Sequence, residues 1–266
     1  MKIIVLNSKG GVGKSTTATQ VLVPYLYLLN NSEEKINLIE FDDENEDNKT
    51  FTKSKILEAQ TIKVSNNDID IALTDNVLNY DDVILDIGGN KTTTYVIDSL
   101  IDSGVINAFD LIVIPLTDGE QDSVNAINVY KKVRENNDTS KIIFALSRVN
   151  SSYEKEIQFL DFFGDIKGRL DSRKGLIENI NQEDRNIIEI KDSDVIKYSR
   201  IFGTTAFELS QEDSLKIKEN MKQALKDNDE EKSKKLAYRS TILNKAIRYK
   251  DDVLKECFKK INETME

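Results

Sequence analysis

Histidine is absent from the 266 residues, tryptophan is absent too, cysteine occurs once and proline twice. Without histidine there is no imidazole base, no imidazole metal ligand and no Ser-His or Cys-His nucleophile pair. One cysteine excludes an intramolecular disulfide and any multi-cysteine zinc or iron–sulfur site within one chain. Two prolines and 11 glycines exclude collagen-like and Pro/Gly-rich disordered classes. Long apolar runs are lacking as well. The longest, residues 21–29, contains Pro24 and falls far short of the ~20 residues that a spanning helix needs. It follows a polar, glycine-rich stretch rather than a basic segment, so neither a signal peptide nor a membrane span is expected, and the expected location is cytoplasmic. Chemistry is left to carboxylates, lysines, hydroxyls and backbone amides.

Charge is plentiful but uneven. The chain carries 37 Lys and Arg against 47 Asp and Glu, a net of −10. Residues 214–262 hold 14 basic and 8 acidic side chains, a net of +6, which leaves −16 for the rest. An acidic body does not attract nucleic acid or an anionic membrane by bulk charge, whereas the basic C-terminal segment can do so locally or can simply be a solvated helical surface.

Short Ile/Val/Leu runs at 3–6, 36–41, 83–87, 111–116, 142–146 and 187–190 read as strands. Most do not alternate with polar residues, as expected for a sheet covered on both faces. Helical patterns fill 14–29, 92–103, 121–136 and 205–224. The β-α-β-α order predicts a three-layer α/β/α domain with a mainly parallel, twisted sheet. After the polar break at 227–231, residues 232–261 read as one long helix. The expected organisation is therefore a domain over 1–225 and a C-terminal helical extension over 226–266. Leu236, Leu243, Ile247, Leu254, Cys257 and Ile261 form an apolar stripe on that helix, suited to packing on the body, on a second copy or on a partner.

The strongest local signal is Lys9-Gly10-Gly11-Val12-Gly13-Lys14-Ser15-Thr16. It follows an apolar strand and opens a helix, the context that a phosphate-binding loop requires. The glycines let successive N–H groups turn inward toward phosphate oxygens, and the helix N-terminus adds partial positive charge. Lys14 is placed for β- and γ-phosphates, Ser15 for Mg²⁺ and Thr16 for the α-phosphate. Lys9 is an addition to the plain G-x-x-x-x-G-K-[ST] pattern and is, on its own, compatible with a solvated loop lysine.

The octet KGGVGKST resembles the deviant Walker A motif of the ParA/MinD family of ATPases, most closely the ParA-like partition proteins, whose domain is a P-loop NTPase fold. The resemblance implies that Lys9 reaches across an ATP-sandwiched homodimer to the partner's nucleotide, much as an arginine finger does. It implies ATP and Mg²⁺ as cofactors, with Gly10, Gly11, Val12, Gly13, Lys14, Ser15 and Thr16 holding the nucleotide. The strand at 37–42 resembles the family's second strand, which ends in D-x-D. On that match Asp42 orients the attacking water, and Glu40 stands behind Mg²⁺ where the family usually has Asp. Asp43, Glu44 and Glu46 follow closely, as a solvated acidic loop or with one of them as the switch residue in place of Asp42. Residues 83–86 resemble a Walker B strand, with Asp86 binding Mg²⁺ through water. Gly88-Gly89-Asn90 replaces the family's usual turn. Ser147-Arg148 stands where the family often has Asn-Arg before the base loop, which places Arg148 near the nucleotide.

The function implied is an ATPase that partitions DNA, for example a plasmid. It would bind DNA non-specifically as an ATP-bound dimer, through Lys216, Lys218, Lys222 and lysines of the last helix. A centromere-binding ParB-like adaptor would stimulate it, and it would be nucleoid-associated. An ATP-switched positioner of protein cargo or of the division site, and an accessory ATPase of conjugative DNA transfer, stay open beside it. Cys257 alone cannot supply the cluster ligands of the iron–sulfur relatives. A second phosphate loop and a C-terminal tyrosine cluster, which mark other relatives, are absent.

Overall fold

A computed structural model describes residues 1–42, 50–64, 69–89, 91–165, 168 and 173–266. Asp43, Glu44, Glu46 and Asn90, named above for their sequence context, lie outside the described residues. Among the described residues seven strands form one sheet: β1 (Lys2–Val5), β2 (Ile36–Phe41), β3 (Leu57–Ile62), β4 (Val83–Ile87), β5 (Leu111–Leu116), β6 (Lys141–Val149) and β7 (Ile187–Lys191). Their order is β3-β2-β4-β1-β5-β6-β7, and every pairing is parallel. Strand β1 lies between β4 and β5, so the chain leaves its carboxyl end at the point where strand order reverses. Open α/β sheets bind ligands at that crevice.

Side chains alternate across the strands and divide the interior in two. Ile4, Leu6, Ile39, Leu85, Ile112 and Ile114 face one helical layer. It includes α2 (Ile69–Leu78), α3 (Lys91–Asp102) and α4 (Glu120–Arg134). Ile3, Val5, Leu38, Ile84, Leu111 and Val113 face the other. There lie α1 (14–29), α5 (Asp194–Phe202), α6 (Ala206–Ser210) and the long C-terminal helix α8 (230–265). Each fully buried Ile, Leu or Val contributes about 1.5–3 kcal/mol, which is why central strands that are apolar on both faces were legible as continuous runs.

Pro24 neither ends nor breaks α1. A π-helical turn, Ala18–Leu22, precedes it, and the Val23 N–H is bonded to the Ala18 carbonyl, one residue beyond α-helical spacing. Pro24 then starts the second α-helical stretch, Val23–Leu29, where its missing N–H is tolerated. The helix expected over 205–224 is two helices. The Asp213 side chain accepts from the N–H groups of Leu215 and Lys216 and starts α7 (Ser214–Lys226) afresh, as an N-cap does. Strand β3, helix α2 and helix α5 are elements that the sequence reading did not assign.

Helix α8 follows the expected long pattern, with a π-turn at Lys250–Leu254. Leu254, Cys257 and Ile261 are buried together with Ile242, Ala246, Tyr249 and Val253 in the same cluster as Ile3 and Ile188, and Leu243 is buried as well. Leu236 and Ile247 are only half-buried, because the real contact face runs through their neighbours. Tyr25 of α1 donates to Asn262 at 2.8 Å and packs on Phe258, ring centroids 5.8 Å apart. The extension is thus docked on the body of its own chain.

Candidate functional site

The loop between β1 and α1 is held open by side chains around it. Asn7 is fully buried; its Nδ2 donates to the Pro115 carbonyl at 2.7 Å, and its Oδ1 accepts from the Lys9 N–H at 2.9 Å. Thr93 of α3 donates to the carbonyls of Asn7 and Gly88, which ties the loop to the turn after β4. Gly13 ends the loop at φ 95°, and a Cβ there would lie 2.5 Å from Ser147 Oγ. Gly89 lies over the loop so closely that a Cβ would lie 2.9 Å from Gly10 Cα. Backbone, not side chain, therefore surrounds the cavity mouth.

That cavity has a volume of about 300 Å³ and is lined by the loop, by Glu40 and Asp42 at the end of β2, by Asp86 of β4 and by Arg148 and Arg200. Lys14 is buried in it and donates to the Lys9 carbonyl at 2.9 Å. Burial lowers its pKa below the ordinary 10.5, and the carboxylates of Asp86 and then Asp42 oppose that shift. A buried ammonium facing two carboxylates on a glycine-rich loop can chemically exchange those contacts for the oxygens of an anion.

Glu40 is 2% exposed and Asp86 3% exposed; Thr61 donates to Glu40 Oε2 at 3.1 Å. Asp42 is held where the Gly88 N–H bonds the Phe41 carbonyl at 2.8 Å. Gly88 lies against Asp42, since a Cβ there would come 2.9 Å from its carboxyl carbon. The β2 end and the β4 turn thus share one packed contact beside Lys14. Among the described residues no cluster of three or more His, Cys, Asp or Glu side chains forms a protein cage for a metal.

Arg148 reaches the loop through an irregularity. Ser147 pairs with Ile190 and Val149 with Lys191, so Arg148 is an extra residue in β6, at φ 58°. The bulge re-aims its side chain, and Nη2 donates to the Gly11 carbonyl at 3.3 Å. A second cavity, about 380 Å³, adjoins the first. It shares Gly13, Thr16, Arg148 and Arg200 with it, and its further lining includes Ile190, Ile196 and Ile201 beside Lys191, Asp192 and Lys197. A polar cavity thus adjoins a more apolar hollow, an arrangement that can take a ligand with one charged and one apolar end.

The structure therefore gathers Gly10, Gly11, Gly13, Lys14, Ser15, Thr16, Glu40, Asp42, Asp86 and Arg148 around one cavity. Two of the expected residues stand apart. The Val12 side chain is 1% exposed and packed inward, leaving its backbone as its only means of contact, and Lys9 is exposed and does not line the cavity of its own chain. Arg200 was missed; its approach depends on how α5 docks, and no local motif marks it.

No family model and no curated protein sequence matches the chain. Solved structures do. McdA of Cyanothece in its apo form is 14% identical, with a TM-score of 0.50 over 100% of this chain and 99% of that one. The cell division ATPase MinD of Pyrococcus furiosus is 10% identical, with a TM-score of 0.47 over 98% of each chain. A plasmid partition protein from Borrelia burgdorferi bound to AMPPNP is 15% identical, with a TM-score of 0.46 over 73% of this chain and 88% of that one. At 14% identity the whole-chain match to McdA shows a shared fold, an open parallel α/β sheet with helices on both faces.

Proposed function

We propose that this chain is a ParA/MinD-family ATPase in which ATP binding joins two copies face to face and hydrolysis releases them. The observation that carries the reading is the contrast between its two loop lysines: Lys14 is buried inside the cavity with Asp42 and Asp86, while Lys9 stands exposed outside it. A lysine in that position is available to a second subunit and idle in its own. Lys14 would bind the β- and γ-phosphates. Asp42 would orient the attacking water, and its contact with Gly88 couples it to the turn that senses the terminal phosphate. The residues fit Mg²⁺ held by the Ser15 hydroxyl, nucleotide oxygens and water, with Asp86 and Glu40 outside that shell; the ion would neutralise phosphate charge.

DNA is the cargo that the charge distribution favours. Lys216, Lys218, Lys222 and Lys226 are exposed on α7, and among the described residues they make no ion pair. Lysines of the last helix are mostly paired: Lys234 with Glu230, Lys235 with Glu231, Lys245 with Asp194, Lys255 with Asp251 and Lys260 with Glu263. Unpaired lysines release counterions on meeting phosphates, so binding would be non-specific and steeply salt-dependent. A ParB-like adaptor at a centromere site would speed hydrolysis and free the DNA, and the chain would be cytoplasmic and nucleoid-associated. A mobility-shift assay tests this: retention of random DNA with ATP, lost with ADP, at higher salt and in the triple variant Lys216→Glu/Lys218→Glu/Lys222→Glu. Retention that ignores nucleotide contradicts it.

A second reading draws on Leu215 and Leu225, which are 68% and 57% exposed on the same helix. An ATP-switched positioner acting on an anionic membrane would use them beside the lysines. No helix among the described residues is long and apolar enough to cross a membrane, so attachment would be peripheral. Co-sedimentation with anionic vesicles separates the two readings.

A further inference from the structure

Arg200 sits in the last turn of α5, and its Nη2 donates to Thr16 Oγ1 at 3.2 Å. Its side chain lines both the phosphate cavity and the adjoining hollow. Its Nε is buried and has no hydrogen-bond partner among the described residues. A buried guanidinium N–H without an acceptor costs stability, and the cost is retained here by a rigid mounting. Gln20 of α1 accepts from the Ala206 N–H at 2.8 Å and from the Ser199 hydroxyl at 3.4 Å. The Lys53 N–H bonds the carbonyl of Gly203, the left-handed cap of α5, at 3.0 Å. Val195 and Ser199 are fully buried. The segment from α5 to the start of α6 is thereby tied to α1 and to the loop before β3, and Arg200 is held against the Thr16 hydroxyl.

We propose that Arg200 is a nucleotide-binding residue of its own subunit, directing its guanidinium at the phosphate nearest Thr16, the α-phosphate. The proposal rests on the reading of the cavity as an ATP site. The chemistry favours phosphate over other groups in three ways. The guanidinium fork bonds one partner while presenting further N–H donors to an anion. The Thr16 hydroxyl, once it accepts from Arg200, has its own proton free to donate onward. Arg148 also lines both cavities and bonds the Gly11 carbonyl, so two guanidinium groups stand at the loop with N–H donors for an anion. Because ADP and ATP share the α-phosphate, Arg200 acts on the affinity for both, unlike Lys9, whose role needs a second subunit.

Equilibrium titration of ADP and of AMPPNP into the full chain tests this, using Arg200→Ala and Arg200→Lys. Arg200→Ala is expected to weaken both ligands by a similar factor, about 10- to 100-fold, the size of a hydrogen bond to a charged group. Arg200→Lys, which keeps the charge without the fork, recovers part of the loss. The salt dependence of ADP binding becomes shallower in Arg200→Ala. ADP binding within twofold of the unaltered chain would overturn the proposal. So would an Arg200→Lys variant as weak as Arg200→Ala with unchanged salt dependence, which would assign the arginine to helix packing. An unaltered chain that binds neither ligand overturns the nucleotide reading itself, a result separate from these.

Discussion

Glu40 and Asp86 are register partners on adjacent parallel strands, and both are buried where they line the cavity beside Lys14. One is held by the Thr61 hydroxyl at 3.1 Å, and the other faces the Lys14 ammonium. Two carboxylates on neighbouring strands beside a buried lysine form a charge balance that a bound phosphate, on the proposed reading, would rearrange.

That arrangement ranks their substitutions. Asp86→Asn removes the carboxylate that most offsets the burial of Lys14 and would lower ATP turnover by about 100-fold or more, the scale of losing one charge-stabilising group. Glu40→Gln keeps the shape and the Thr61 contact and would lower it by about 10-fold, as outer-shell partners do. A steady-state phosphate-release assay on the two variants gives the order; equal losses would contradict it.

Gly13 is restricted twice, by φ 95° and by Ser147. Gly13→Ala would therefore destabilise the fold by about 1–3 kcal/mol, read from urea unfolding. Adding Ser147→Gly relieves the close contact and leaves the backbone strain, so the double variant should recover only part of the loss. Full recovery would mean that the backbone conformation carries no cost.

The depressed pKa of Lys14 sets a pH dependence. Between the lowered folded value and the ordinary 10.5, the unfolded chain binds more protons than the folded one, so stability of the nucleotide-free protein rises with pH through that window. Bound phosphates favour the protonated lysine, so nucleotide binding takes up a proton there and ADP affinity falls as pH rises. Calorimetry in two alkaline buffers of different ionisation enthalpy measures the proton uptake; proton release would contradict the assignment.

Cys257 reports on the docking of α8. Its Sγ lies 3.5 Å from the Glu189 carbonyl of β7, and burial pushes the thiol up to about 12. At pH ~8 the thiolate fraction is about 10³-fold below that of a free thiol with a pKa of ~8.5. Alkylation should therefore be slow in the folded chain, by at least that factor, and rapid in urea. Rapid labelling without denaturant would show that the helix leaves the body.

The central strands and the phosphate loop were legible because both are local signals: runs such as Val83–Ile87 are buried on both faces, and the octet at 9–16 carries its chemistry in consecutive residues. Strand β3 was not legible, because only Leu57 of its six residues is buried at the sheet edge. Two other features depend on partners distant in the chain: the bulge at Arg148 arises from the register with β7, and the approach of Arg200 to Thr16 from contacts spanning 184 residues. The tolerance of Pro24 rests on a neighbouring π-turn, which no residue pattern marks. The Asp213 cap was local and readable, but the apolar pattern running through it suggested one helix.

The central claim is that the nucleotide joins two copies, each lending Lys9 to the other. Light scattering with size-exclusion chromatography tests it most directly, on the unaltered chain and on Lys9→Ala, with Mg²⁺ and either AMPPNP or ADP. The account predicts a dimer of the unaltered chain with AMPPNP, a monomer with ADP, and a monomer of Lys9→Ala with both. A chain that binds AMPPNP and stays monomeric, or a Lys9→Ala dimer as stable as the unaltered one, would contradict it.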